Sequence, residues 1–153
     1  MFSTDMQDKA TYVQAMFTAI AHRYDLLNTL LSFRCDRAWR RFVASRSSLR
    51  PGGLALDAAT GTAELARHLA RQNSGSTIIG IDSCSDMLVR AEAKLATASE
   101  RDKIQLFLGD VLKLPFPDNT FDCVTISFAL RNVTSIPGAF REMARVAKPG
   151  SMV

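Results

Sequence analysis

Four short apolar runs in this chain end in polar residues, and the types and spacing of those residues suggest a ligand. Asp57 closes "LALDA", Asp82 closes "STIIGID" and Asp110 closes "KIQLFLGD"; Ser127, Arg131 and Asn132 lie at or beyond the end of "FDCVTI". After Asp57 comes a small-residue turn, A-A-T-G-T-A, and then a helix-like segment. In an open parallel sheet, ligands lie across the carboxyl ends of the strands. A dinucleotide site there needs G-x-G-x-x-G, so that a pyrophosphate can approach the helix N-terminus, and a triphosphate site needs G-K-[ST]. This turn has a single glycine, Gly61, and neither pattern. A carboxylate at the turn repels phosphate but can take up an amino group, or a water bound to a cationic ligand. Asp82 is placed to accept from two ribose hydroxyls, and Asp110 stands where an adenine edge would lie. A nucleoside with an amino group and no phosphate describes S-adenosylmethionine. The candidate donor contacts are Asp57, Ala59, Gly61, Thr62, Asp82, Ser83, Asp110, Val111 and Ser127.

The elements that must position these residues alternate. Strand-like runs at 54–58, 76–82, 103–110 and 121–130 are separated by helical patterns at 62–72 and 85–99 and by a proline-rich connection, "VLKLPFPDNT". Such alternation predicts an α/β, Rossmann-like fold, a mostly parallel sheet with helices on both faces. A last helix is expected from Ser135, its cap, to a stop at Pro149-Gly150. Only three residues follow, so further strands are expected beyond Val153. Upstream, Val13, Met16, Phe17, Ile20 and Tyr24 mark one helix or two. Residues 31–44 then read as a helix capped by Asp36, with Trp39, Phe42 and Val43 facing inward. "RPGG" ends it. The division is a helical lid, 1–50, and an α/β domain, 51–153.

At 153 residues, 47% hydrophobic and 22% charged, the chain suits one globular domain. Its three cysteines form no C-x-x-C pair, which points to a reducing compartment and away from a thiolate metal site. No apolar run of about 18 residues is present, and the expected location is cytoplasmic. Of the net charge of +4, much sits in residues 34–50, where six arginines face one acid. Arg34, Arg37 and Arg41 form a stripe on one helix face, either a solvated face or a peripheral contact with an anionic membrane. With Trp39 alone among them, nucleic acid is not an expected partner.

"YDLLNTLLSFRCDRAW" (24–39), "LDAATGTAEL" (56–65), "PFPDNTFDCVTISFALRNV" (115–133) and "RVAKPG" (145–150) closely resemble the ubiquinone and menaquinone biosynthesis C-methyltransferase family, a branch of the class I methyltransferases. The resemblance implies methyl transfer from S-adenosylmethionine to a ring carbon of a prenylated quinol, a demethylmenaquinol or a polyprenyl-benzoquinol. Arg131 and Asn132, beside the fourth strand, are candidates to stabilise a phenolate; Tyr24 and Asp25, in the segment that resembles the family lid, are candidates to touch donor or quinol. His22 is a candidate base or a surface group. The sequence departs from the family pattern at Thr60 and Ala63, where glycine is usual, and at Asp36, Glu64 and Ser151. Ala63 is expected to crowd the ligand while keeping helix-compatible dihedrals. The alternative reading is a methyltransferase-like binding protein without catalysis. An unpaired sheet edge would favour a second copy of the chain as partner.

Overall fold

Gly52 and Gly53 break the chain ahead of the first strand, and the apolar run that follows is β1, Leu54–Ala58. The structure is a computed structural model that describes residues 16, 18–19, 23–33, 35–47 and 49–153. Beyond β1 come α3 (Glu64–Gln72), β2 (Thr77–Asp82), α4 (Ser85–Leu95), β3 (Ile104–Leu108), β4 (Phe121–Ile126), α5 (Ile136–Val146) and β5 (Ala147–Met152). Ahead of it lie α1 (Tyr24–Leu31) and α2 (Cys35–Arg46). The candidates Val13, Phe17, Ile20, His22 and Arg34 fall outside the described residues.

The sheet order is β3-β2-β1-β4-β5, with every pairing parallel. Alternate residues of β1 and β2 divide between two cores, as a strand period of two requires. Ala55 and Ile78 join Leu65, Leu69, Leu95 and Ala44 under α2, α3 and α4. Leu56, Ile79 and Ile81 pack with Phe121, Met143 and Val146 against α5. Strand order reverses at β1, between β2 and β4, and it is there that a crevice opens at the carboxyl ends.

Two expectations are corrected. The last helix stops at Val146, not at Pro149-Gly150, and those two residues belong to β5. Pro149 is admissible because β5 is an edge strand among the described residues, where a missing N–H need break no ladder bond. Ser135 does cap α5, accepting from the Gly138 N–H at 3.1 Å.

In α2 the expected inner face holds for Val43, which packs against the core, and fails for the two aromatic residues. Trp39 and Phe42 are 53% and 60% exposed, while Asp36, Arg40 and Ala44 are buried. Burial of the pair is compensated by hydrogen bonds: Arg40 donates to Asp36 Oδ2 at 2.6 Å, and the Ser32 and Thr29 hydroxyls donate to the same carboxylate. Burial would raise the Asp36 pKa, yet the Arg40 and Ser32 bonds hold it below the ordinary value. Asp36 is therefore an inward ion-pair partner in the first turn, not the cap.

Candidate functional site

A cavity of about 280 Å³ opens at the ends of β1, β2 and β3, roofed by Tyr24 of α1. Eight of the sequence-derived candidates line it: Tyr24, Ala59, Gly61, Asp82, Ser83, Asp110, Val111 and Asn132. Asp25, Asp57, Thr62, Ser127 and Arg131 do not.

The turn after β1 is shaped by backbone conformation. Ala59, Gly61 and Ala63 all take left-handed dihedrals, with φ of 51°, 57° and 63°. The helix-compatible geometry expected at Ala63 is thus corrected, and its fully buried methyl group lies off the cavity wall, so it does not crowd a ligand. Thr60, standing where the family usually has glycine, turns its side chain inward. Its hydroxyl donates to Asp57 Oδ2 at 2.7 Å and its N–H to the Ile81 carbonyl at 2.9 Å. Room for that side chain comes from Gly80, where a Cβ would lie 3.0 Å from Thr60 Cγ2 and 2.8 Å from Leu106 Cδ2.

Asp57 does not reach the ligand space expected of it. Its carboxylate is 1% exposed and accepts from the Thr60 hydroxyl, the Ala66 N–H at 3.1 Å and the Thr125 hydroxyl at 3.3 Å. Burial raises its pKa to about 6 against the pull of those three bonds. Asp57 organises the turn from beneath.

Asp82 faces the cavity. Oδ2 accepts from the Gly61 N–H at 2.7 Å and Oδ1 from the Cys84 N–H at 2.9 Å. Burial raises its pKa. A carboxylate has about four acceptor sites, so capacity remains on the cavity side. Asp110 lies two residues past β3, its Oδ1 accepting from the Leu112 N–H at 2.9 Å. Met87, Val111 and Leu112 supply an apolar wall between the two acids, which suits a purine face.

At the other side of the mouth, Asn132 lines the cavity from a short 3-10 turn, Leu130–Asn132, and Arg131 of that turn is exposed. Ser127 is half-buried and does not line the cavity. Asp25 and Thr62 meet beside the cavity, the Thr62 hydroxyl donating to Asp25 Oδ1 at 2.6 Å. The sequence reading missed Met87, Cys84, Val133 and Thr134 on the wall, and Lys94, which joins Asp25 and Thr62. An aspartate at a strand end stands out in a sequence. Apolar wall residues look like any core residue.

Among the described residues, the wall carries two carboxylates, Asp82 and Asp110, and neither lysine nor arginine. Such a wall disfavours phosphate and accepts a ligand that is neutral or cationic. Hydroxyl acceptors, an apolar slab and negative field together fit S-adenosylmethionine. No group of three histidine, cysteine or acidic side chains able to hold a metal occurs among the described residues.

A parallel sheet of this order with a ligand crevice at its switch point is the doubly wound α/β arrangement of the class I methyltransferases. The chain belongs to the ubiE/COQ5 methyltransferase family, whose model matches residues 4–153. It is 42% identical, over 148 residues, to a demethylmenaquinone methyltransferase of Desulfitobacterium hafniense, covering 96% of this chain and 58% of that protein. To a ubiquinone/menaquinone biosynthesis C-methyltransferase of Geotalea daltonii it is 40% identical, covering 97% of this chain and 63% of that one. Among solved structures, a putative S-adenosyl-L-methionine-dependent methyltransferase of Methanococcus maripaludis superposes with a TM-score of 0.76 at 25% identity, over 88% of this chain and 60% of that one. The chain thus spans about three fifths of the length of these curated relatives.

Proposed function

We propose that this chain binds S-adenosylmethionine in the cavity and serves C-methylation of a prenylated quinol in menaquinone or ubiquinone biosynthesis. The observation that carries the donor is the wall itself, with two carboxylates, an apolar slab and no cation among the described residues. The quinol rests on the names of the relatives.

When bound, S-adenosylmethionine supplies a methyl group already activated on a sulfonium. The chain's residues bind and orient. Asp82 accepts from the ribose hydroxyls, Asp110 takes the polar edge of the adenine, and Met87 with Val111 packs its face. Tyr24 roofs the site and excludes water, which strengthens every charge interaction inside. Asn132 lines the cavity, and Arg131, its exposed neighbour off the cavity wall, is the cation that would reach a quinol oxygen and hold it as phenolate, the form in which the ring carbon is most nucleophilic. Transfer would require donor and ring carbon to be held in line and the proton displaced from that carbon to leave to solvent, so the contribution of these residues is orientation.

A prenylated substrate resides in a bilayer, and α1 and α2 offer a surface for it. Leu26, Leu30, Leu31, Phe33, Trp39 and Phe42 are exposed, with Arg37, Arg41 and Arg46 exposed on α2 among them. Apolar rings beside arginines suit the interfacial zone of an anionic membrane. No helix among the described residues is long and apolar enough to cross one.

The test is transfer of labelled methyl from S-adenosylmethionine to demethylmenaquinol, or to the matching benzoquinol, in anionic vesicles. Label in the ring supports the reading. Donor binding with no label in either quinol contradicts the C-methylation and leaves a donor-binding protein.

A further inference from the structure

No residue of α1 is buried, although Tyr24 at its start roofs the cavity. Polar ties therefore contribute much of what holds this helix. At its C-terminal end, the Thr29 and Ser32 hydroxyls bond Asp36 of α2. At its N-terminal end the tie is a four-residue cluster. The Thr62 hydroxyl donates to Asp25 at 2.6 Å, and the Lys94 ammonium, reaching from α4, pairs with Asp25 and donates to Glu64 Oε1 at 2.9 Å and Thr62 Oγ1 at 3.0 Å. Lys94 thus stands between two acids, with the hydroxyl of the β1 turn as its third partner. Glu64 keeps a second cation, Arg67, at 3.4 Å, whereas Lys94 is the cation that Asp25 meets among the described residues.

We propose that Lys94 is a positioning residue for the donor. Its ammonium latches the start of α1 to the β1 turn, and this latch keeps the Tyr24 ring above Gly61 and against Cys84 and Met87. The proposal rests on the donor site described above. The latch is polar and about one third exposed, so solvent and salt weaken it and it can open for exchange of ligand. The far end of α1, tied to α2, is the natural pivot.

The experiment compares Lys94→Met, Asp25→Asn, the double variant and Lys94→Arg. Three quantities are read: affinity and dissociation rate of S-adenosylhomocysteine, hydrogen exchange of α1 amides without ligand, and the thermal midpoint. Each single variant is expected to bind S-adenosylhomocysteine about fivefold more weakly through faster dissociation. Exchange in α1 rises and the thermal midpoint stays close to wild type. The double variant should lose clearly less than the sum of the two single ones, because both break the Asp25–Lys94 pair. Lys94→Arg retains most of the affinity. Wild-type protein that fails to bind S-adenosylhomocysteine contradicts the donor site. Wild-type binding, with Lys94→Met matching it in affinity and α1 exchange, or with additive losses in the double variant, overturns the latch alone.

Discussion

The Gly61 N–H donates to Asp82 Oδ2 at 2.7 Å, joining residues 21 apart in the chain. This bond fastens the turn after β1 to the tip of β2, so the carboxylate expected to hold a ribose also fixes the floor on which the donor lies. Binding and turn geometry are coupled through one side chain.

Gly80 is the neighbour that makes the turn possible. A methyl group there meets Thr60 and Leu106 at 3.0 Å or less, and overpacking of this kind costs about 1–3 kcal/mol. Gly80→Ala should lower stability by that amount in urea unfolding. Pairing it with Thr60→Ser, which removes Cγ2, should recover part of the loss; independent, additive losses would contradict the contact.

Ala63 and Ala66 are both fully buried at the start of α3, yet glycine should affect them differently. At Ala63 relief of the left-handed backbone, about 1–2 kcal/mol, offsets the lost methyl contact, about 0.8 kcal/mol, and the freer unfolded chain. At Ala66 the methyl loss and the helix penalty, about 1 kcal/mol, add. Ala63→Gly is expected near wild-type stability with unchanged donor affinity, and Ala66→Gly about 2 kcal/mol below it. Calorimetric unfolding of the two variants decides.

Stability should rise as pH falls from 7 towards 5. The Asp57 pKa, raised by burial to about 6, means the folded state holds that proton more tightly than the unfolded chain. Its contribution is fully present below the unfolded value near 4 and is lost as pH rises through 6. Glu100 and Glu142 act oppositely. Arginine hydrogen bonds hold both at about 2, against burial in the case of Glu100, so their contribution exists above about 4.5 and disappears as pH falls through 2. A stability maximum on the acid side of neutral follows, and Asp57→Asn should reduce the rise between pH 7 and 5 in urea titrations, the remainder coming from Asp82, whose pKa burial also raises.

Trp39 is the chain's single tryptophan and is half exposed beside arginines. Anionic vesicles at low salt should shift its emission to the blue, with reversal as salt rises and a weaker shift in Arg37→Ala/Arg41→Ala. Emission unchanged by vesicles would leave the α1–α2 face as solvent-exposed surface.

Much of this architecture was legible. β1 falls at the residues its apolar run marked, because glycines bound it on one side and the small-residue turn on the other. Asp82 and Asp110 could be found because polar residues at strand ends are few, Gly61 because it is the single glycine of the turn, and Tyr24 through the family resemblance of its segment. α2 misled because its pattern is partly inverted: a buried Asp36–Arg40 pair replaces the apolar stripe, and the aromatic side chains face outward. β5 was hidden because Ala147 alone of its residues is buried, leaving no period-two signal. Lys94 carried no local mark, since Asp25 lies 69 residues away in sequence and the lysine reads as a solvated helix position.

The most direct test of the account is titration of S-adenosylhomocysteine into wild-type protein and Asp82→Ala by calorimetry, with circular dichroism to confirm that both are folded. The account predicts one molecule bound per wild-type chain and an affinity lower by about 2 kcal/mol or more in the variant, as expected for removal of a charged hydrogen-bond acceptor. Absence of binding to the wild type, or equal affinity in the two folded proteins, would contradict it.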